Sequence, residues 1–132
     1  DGPVLLLFFP GAFTSVCTNE MNAVNNDRAS FGADKGVTIV GISTDSPFVL
    51  DEYRKVNDLQ FTLLSDHNAE VAAAYGAKYD HDFTPMELDR VAKRSAFVVD
   101  AEGVIQYTEV LDNAGKQPDF EAIQATIDEL VG

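Results

Sequence analysis

Cysteine and histidine are scarce in this 132-residue sequence, which contains one cysteine, Cys17, and two histidines, His67 and His81. A single cysteine excludes an intrachain disulfide, a C-x-x-C exchange pair and a multi-cysteine zinc site within one chain. Two histidines are too few for a convincing metal constellation, so we expect neither a metal nor another cofactor. A lone thiol fits a reducing compartment best, and we therefore expect a cytoplasmic protein.

Basic residues and long apolar runs are also few. Nine Lys and Arg side chains stand against 22 Asp and Glu side chains, which gives a formal net charge of −13. Such a surface repels nucleic acid and anionic membranes, so we expect neither as a partner. The most apolar run, residues 4–9, is far shorter than the ~20 residues that cross a bilayer, and no basic segment precedes it as in a signal peptide. This run predicts a buried strand.

The order of apolar patterns predicts one α/β domain over residues 1–132. The predicted elements are a strand at 4–9, a helix from Thr14 towards Phe31, a strand at 37–42, a helix at 47–57, a strand at 60–64, a helix at 68–75, strands at 95–99 and 104–108, and a helix at 119–131. The early βαβ unit implies parallel strands, and the final hairpin adds an antiparallel pair. We therefore expect a central mixed sheet flanked by helices.

Two stretches of the sequence carry less information. Residues 77–93 are polar and lack a clear period, so we expect mostly loop with a helical turn around residues 86–90. The chain opens directly on Asp1-Gly2-Pro3 and a core strand, with no element before it. We therefore expect that an N-terminal segment of the native protein is missing.

Cys17 occupies a position that favours a reactive thiol. If Thr14 is the N-cap of the first helix, Cys17 is the third helical residue and lies beside unpaired backbone N–H groups and the positive end of the helix dipole. Cysteines in such positions can have pKa values well below ~8.5. The alternative is a small buried hydrophobic residue, which is a common role of unpaired cysteines.

The residues around Cys17 form a specific pattern. Pro10, Thr14 and Cys17 stand as P-x-x-x-T-x-x-C between the first strand and the following helix, and Thr18-x-Glu20 follows. This pattern resembles the active-site motif of the peroxiredoxin family. The resemblance continues in order through nearly the whole chain, in the segments VTIVGISTD, FTLLSD, Tyr75-Gly76 and RSAFVVD at residues 37–45, 61–66, 75–76 and 94–100.

The resemblance implies a thioredoxin-like fold and a thiol peroxidase that acts on hydrogen peroxide or organic hydroperoxides. By this resemblance Cys17 is the peroxidatic cysteine and becomes a sulfenic acid. The other implied site residues are Thr14, whose hydroxyl bonds the peroxide; Arg94, whose cation stabilises the thiolate and the leaving oxygen; Pro10, which shields the sulfur; Val16, whose backbone N–H faces the substrate; and Glu20, which gives a supporting hydrogen bond. Three of these residues could instead have a purely structural role. Thr14 could only cap a helix, Pro10 could only end a strand, and Arg94 could lie on the surface of an edge strand.

Two departures from the family pattern bear on how the cycle ends. Thr18 replaces the proline that often follows the peroxidatic cysteine, as in the subgroup that resembles bacterioferritin comigratory protein, alkyl hydroperoxide reductase E and their one-cysteine relatives. Asn22 stands where that subgroup can carry a second cysteine. The sulfenic acid must therefore be reduced by an external thiol such as thioredoxin, glutaredoxin or a low-molecular-weight thiol. The family also implies a homodimer, with the Phe13 loop and residues 75–82 as candidate contacts.

Two rival functions remain open at this point. Cys17 could pair with His67 or His81 in a cysteine hydrolase, although neither histidine lies in a known dyad context. Alternatively, the chain could be a non-catalytic redox sensor or a holdase-like protein on the same fold.

Overall fold

A five-stranded mixed sheet with helices on both faces organises the computed structural model, which describes residues 2–79, 91–112 and 115–131. The strands of this part are β1 (Val4–Phe8), β2 (Thr38–Ser43), β3 (Thr62–Ser65), β4 (Ser95–Val99) and β5 (Ile105–Val110). The helices are α1 (Ser15–Asn26), α2 (Pro47–Val56), α3 (Glu70–Ala74) and α4 (Phe120–Val131), with short 3-10 turns at Arg28–Phe31 and Ala33–Lys35. The predicted mixed sheet and its flanking helices are therefore confirmed.

The strand order β3-β2-β1-β4-β5 places β1 at the centre of the sheet. Strands β1, β2 and β3 run parallel, whereas β4 is antiparallel to both β1 and β5. Because β4 runs opposite to β1, Ser95 at its start pairs with Phe8 at the end of β1. The residues that precede β4 therefore lie beside the loop that follows β1.

Strand β1 is buried on both faces. Leu5, Leu7 and Phe9 pack with the helices α1 and α4, while Phe8 joins a second cluster on the opposite face. Successive side chains of a strand point to opposite faces, so a sheet covered on both sides selects a continuous apolar run. This explains why residues 4–9 carry no alternation of polar and apolar side chains.

The first helix is shorter than predicted. It ends at Asn26 instead of continuing towards Phe31, and a 3-10 turn follows. The guanidinium of Arg28 donates to both the carbonyl and the side-chain oxygen of Asn25, at 3.1 and 2.7 Å. Asn and Asp side chains compete with the helical ladder through such local bonds, which is why the apolar spacing through Phe31 overstated the helix.

The third strand is shifted along the chain relative to its prediction. It begins at Thr62 instead of Gln60, because the N–H of Gln60 donates to Asn25 Oδ1 at 2.8 Å and is not available to the sheet. The helix predicted at 68–75 is present as α3, and Gly76 follows it with φ +73°. The helix predicted at 47–57 is present as α2, and the Ser46 side chain caps it by accepting from Val49 N–H.

The hairpin and the last helix are also confirmed, as β4, β5 and α4. The predicted turn around residues 86–90 lies outside the described residues. On either side of that gap, Lys78 and Ala92 form an antiparallel bridge. Within the described ranges, no helix has the length and apolar character that crossing a membrane requires.

Candidate active site

Cys17 is the third residue of α1, as its spacing from Thr14 predicts. The first backbone bond of this helix runs from Thr18 N–H to the Thr14 carbonyl at 2.9 Å, so the N–H groups of residues 15–17 precede the intrahelical ladder. The Cys17 side chain is only 1% exposed. The thiol therefore sits at the positive end of a helix dipole with little access for bulk water.

The Arg94 side chain brings a positive charge into contact with this thiol. Its Nη2 donates to Cys17 Sγ at 3.3 Å, and its Nη1 donates to Glu20 Oε1 at 2.7 Å. The residue is 1% exposed and precedes β4, an interior strand of the sheet. The alternative of a surface arginine on an edge strand is therefore wrong. A guanidinium forks naturally between two such acceptors.

The electrostatics of this arginine follow from its two neighbours. Burial lowers the pKa of Arg94, but the Cys17 and Glu20 groups outweigh burial and leave the pKa above its ordinary value. The cation is therefore permanently present beside the sulfur. A fixed positive charge in a water-poor site stabilises negative charge that develops beside it during a reaction.

Glu20 lies one helical turn after Cys17 on α1 and is fully buried. Burial raises the pKa of Glu20 to about 7, although the Arg94 cation and its hydrogen bond act in the opposite direction. Oε1 accepts from Arg94, while Oε2 is buried without a hydrogen-bond partner among the described residues. The structure thus places Glu20 behind the guanidinium, and its predicted supporting role in the reaction stays a prediction.

Pro10 and Thr14 lie on the loop that joins β1 to α1. The Thr14 hydroxyl donates to the Gly11 carbonyl at 2.8 Å, and it makes no side-chain capping bond to α1. Thr14 thus stands at the N-cap position of α1, as predicted, although its side chain does not cap the helix. Pro10 is half-buried, and Phe13 adopts a left-handed backbone with φ +65°. The loop bends sharply between Pro10 and the helix start.

Three hydrogen bonds from distant segments hold this loop and the first turn of α1. Asp45 Oδ2 accepts from Ala12 N–H at 2.8 Å, Tyr53 donates to Thr18 Oγ1 at 3.1 Å, and Gln117 Nε2 donates to the Val16 carbonyl at 3.1 Å.

These contacts were missed at the sequence level. Asp45 has a partial signal, because it ends the β-branched segment that lies next to the first strand in a βαβ unit. Tyr53 lies in the helix predicted at 47–57, and nothing in the sequence marks it for this contact. Its burial raises its pKa to about 12, so the hydroxyl stays a donor. Gln117 is 101 residues from Val16 and has no local sequence signal.

His67 does not join this site. His67 is exposed, and its Nδ1 lies 3.3 Å from the Thr44 carbonyl rather than near the thiol. His81 lies outside the described residues. No group of three His, Cys, Asp or Glu side chains that could hold a metal ion occurs in the described part of the chain. The predicted pairing of Cys17 with His67 in a hydrolase therefore finds no geometric support.

The arrangement suits attack by sulfur on a small electrophile. The thiol has a cation on one side and unpaired N–H groups at the helix start on another, so both a thiolate and a departing anion would be stabilised. At 1% exposure, only a small reactant or a narrow end of a larger one can reach the sulfur without rearrangement of the loop.

The amino-acid sequence is similar to known proteins over most of its length. A profile of the AhpC/TSA family matches residues 1–108. Peroxiredoxin Bcp of Escherichia coli (strain K12) is 33% identical over 104 residues, which cover 79% of this chain and 65% of that protein. The chain thus spans less than two thirds of the length of this curated relative.

Solved structures give the same picture of the fold. Peroxidoxin BcpB from Mycobacterium tuberculosis matches with a TM-score of 0.82 at 29% identity, covering 100% of this chain and 82% of that one. A peroxiredoxin-like protein from Aquifex aeolicus matches with a TM-score of 0.87 at 22% identity, covering 99% and 73%. These likenesses confirm the predicted thioredoxin-like α/β fold.

Proposed function

Because the chain belongs to the AhpC/TSA family of peroxiredoxins, we propose that it reduces hydrogen peroxide and organic hydroperoxides with Cys17 as the nucleophile. The observation that carries this proposal is the buried contact of 3.3 Å between Arg94 Nη2 and Cys17 Sγ at the start of α1. Structural arginines pair with carboxylates, and Glu20 already supplies one. The other terminal nitrogen of the guanidinium, Nη2, donates to the sulfur, which is where a reactant would meet the cation.

The first half of the cycle oxidises the sulfur. The thiolate attacks the terminal oxygen of the peroxide, the S–O bond forms as the O–O bond breaks, and the released alkoxide or hydroxide takes a proton to become alcohol or water. Arg94 and the N–H groups of Val16 and Cys17 stabilise the charge on the departing oxygen. Thr14 orients the peroxide, and Pro10 shields the sulfur from bulk water.

The second half of the cycle requires a reductant from outside the chain. Cys17 is the one cysteine in the sequence, so no thiol of this chain can form a disulfide with its sulfenic acid. An external thiol displaces water from the sulfenic acid to form a mixed disulfide, and a second thiol releases Cys17 as the oxidised reductant forms. Thioredoxin, glutaredoxin and low-molecular-weight thiols of the cytoplasm fit this role.

A homodimer is part of the proposal. Phe13 is 53% exposed on the loop that precedes α1, and its ring makes a T-shaped contact with the Tyr53 ring. A second copy that covers this ring would bury apolar area and hold the loop beside Cys17. Sedimentation of the chain, compared with a Phe13→Ser variant, measures this contribution.

The proposed activity is tested directly by substitution of the nucleophile. We expect Cys17→Ser to abolish peroxide consumption, because a hydroxyl in this site cannot accept the peroxide oxygen. Intact-mass spectrometry of the wild type after one equivalent of peroxide should show one added oxygen, and an added thiol should remove it. Undiminished peroxide turnover by Cys17→Ser would contradict the proposal.

A further inference from the structure

A carboxylate outside the Cys17 segment holds the loop that carries Thr14. Asp45 lies just beyond β2, and its Oδ2 accepts from Ala12 N–H at 2.8 Å. The same oxygen accepts from the Ser43 hydroxyl at 2.7 Å, and Ser43 is fully buried. One carboxylate oxygen therefore ties the loop after β1 to the end of β2.

The anchor is itself fixed by the sheet. The Asp45 carbonyl accepts from the Ser65 hydroxyl at 2.6 Å, and its N–H donates to Ser43 Oγ at 3.2 Å. Ser43 and Ser65 are register partners at the ends of the parallel strands β2 and β3. Two strands therefore hold the Asp45 carboxylate in place on rigid elements of the fold.

The bond to Ala12 has a direct route to Thr14. The Ala12 N–H and the Gly11 carbonyl belong to one planar peptide unit. Asp45 holds the N–H side of this plane, and the Thr14 hydroxyl donates to its carbonyl side at 2.8 Å. The orientation of this single peptide thus fixes the orientation of the Thr14 hydroxyl.

The loop also needs such an anchor. Phe13 has a left-handed backbone, with φ +65°, between the anchored peptide and Thr14. A non-glycine residue keeps this conformation only where its surroundings enforce it. The T-shaped contact of Phe13 with Tyr53 holds one side of the bend, and Asp45 holds the other.

We propose that Asp45 is a positioning residue for peroxide reduction, acting through the 11–12 peptide on Thr14. A threonine hydroxyl has one proton, and here that proton is given to Gly11, so its lone pairs are left to accept from the peroxide O–H. Without Asp45 the peptide plane can rotate, and the hydroxyl loses its fixed direction. This inference rests on the proposed function, because it assigns Asp45 to the same reaction.

The test compares two substitutions of Asp45. We expect Asp45→Ala to lower kcat/KM for peroxide about tenfold, because misplacement of an orienting group has costs of this order or larger. Asp45→Asn should keep kcat/KM within about twofold, because both hydrogen bonds go to one oxygen and an amide carbonyl can accept both. Ser43→Ala, which removes one of the two bonds, should give a decrease of about threefold.

Two measurements separate positioning from a loss of structure. The rate of Cys17 alkylation by iodoacetamide should be unchanged in Asp45→Ala, because the contact of Arg94 with the sulfur is not touched. The matched control is Asp100→Ala, since Asp100 also accepts two backbone N–H groups, at Glu102 and Val104 in the distant hairpin. This control should leave kcat/KM at the wild-type value.

A double substitution tests the route through Thr14. In a Thr14→Val background, which has no hydroxyl to orient, Asp45→Ala should cause little further loss of kcat/KM. A further tenfold loss in that background would overturn the inference, as would a wild-type kcat/KM in Asp45→Ala or Ser43→Ala, or an equal loss in Asp45→Asn. A wild-type chain without peroxidase activity would instead contradict the proposed function.

Discussion

At the scale of single residues, Arg94 connects the Cys17 thiol to the Glu20 carboxylate. We expect Arg94→Met to lower the second-order rate constant for peroxide at least about 100-fold, because the variant removes the cation beside the sulfur. It should also lower the free energy of unfolding by about 3 kcal/mol, since Glu20 is left as an unpaired buried acid. Stopped-flow oxidation and urea unfolding measure the two effects.

A second variant separates activity from stability at this position. Glu20→Gln combined with Arg94→Met removes the orphaned acid together with the cation, so much of the lost stability should return while the peroxide rate stays low. Recovery of the rate along with the stability would contradict a catalytic role for the guanidinium.

The Glu20 carboxyl predicts a pH dependence of stability. Burial raises its pKa in the folded protein from 4.5 to about 7, so between these values the folded state binds more protons than the unfolded state. The contribution of Glu20 to the free energy of unfolding is fully present below about pH 4.5, and it is lost as the pH rises through about 7. The free energy of unfolding in urea, measured from pH 4.5 to 8, should fall more steeply in the wild type than in Glu20→Gln. Parallel curves for the two proteins would contradict this prediction.

The sequence predicts the candidate site residues that lie close together in the chain more readily than those that lie far apart. Cys17, Thr14 and Pro10 stand close together in the chain, so their spacing and the strand-to-helix transition identify the site. The contact of Arg94 with the sulfur spans 77 residues, and the resemblance to a known family was needed to find it. The bond of Asp45 to the loop is made to the backbone N–H of Ala12. The sequence does not predict this bond, because every residue except proline carries a backbone N–H.

At the scale of elements, one hydroxyl pair joins α1 to α2 in addition to their apolar packing. The Tyr53 hydroxyl donates to Thr18 Oγ1 at 3.1 Å, and its ring packs against Phe9 and Phe13. We expect Tyr53→Phe and Thr18→Val each to lower the free energy of unfolding by about 1 kcal/mol, with the double variant no less stable than either single one. Urea unfolding of all four proteins measures the coupling. Fully additive losses would mean that the hydroxyls act independently.

The elements themselves were predictable where a single physical pattern dominates. Continuous apolar runs predict the buried strands β1, β2 and β4, and the apolar spacing of α4 predicts that helix correctly. The end of α1 and the start of β3 were misplaced because both depend on Asn25, whose side chain bonds Arg28 and Gln60 across the turn. A side chain that serves two distant groups leaves no periodic signal.

At the scale of the whole molecule, the excess of negative charge opposes the folded state. With a formal net charge of −13, the compact chain repels itself, and salt screens this repulsion over ~10 Å at 0.1 M ionic strength. We expect the free energy of unfolding to rise by about 1 kcal/mol between 0.02 and 0.5 M NaCl. Urea titrations at each salt concentration provide the measurement.

A charge-reduced variant is the control for this effect. Three exposed glutamates take part in none of the ion pairs found in the described residues: Glu52, Glu102 and Glu129. Their replacement by lysine makes the net charge less negative without removing a known ion pair. The salt dependence of this triple variant should be weaker than that of the wild type. An equal dependence would show that the effect comes from a source other than net charge.

The long separation between Arg94 and Cys17 also sets an order of events during synthesis. The cation reaches the sulfur only after β4 has emerged and paired with β1, and the two residues are 77 positions apart. At ~5–20 residues per second, the ribosome needs about 4–15 s to add that stretch, and more before it leaves the exit tunnel. Through that interval the nascent chain has no cation held beside the Cys17 sulfur, and the proposed peroxidase site is complete only when β4 joins β1 in the sheet.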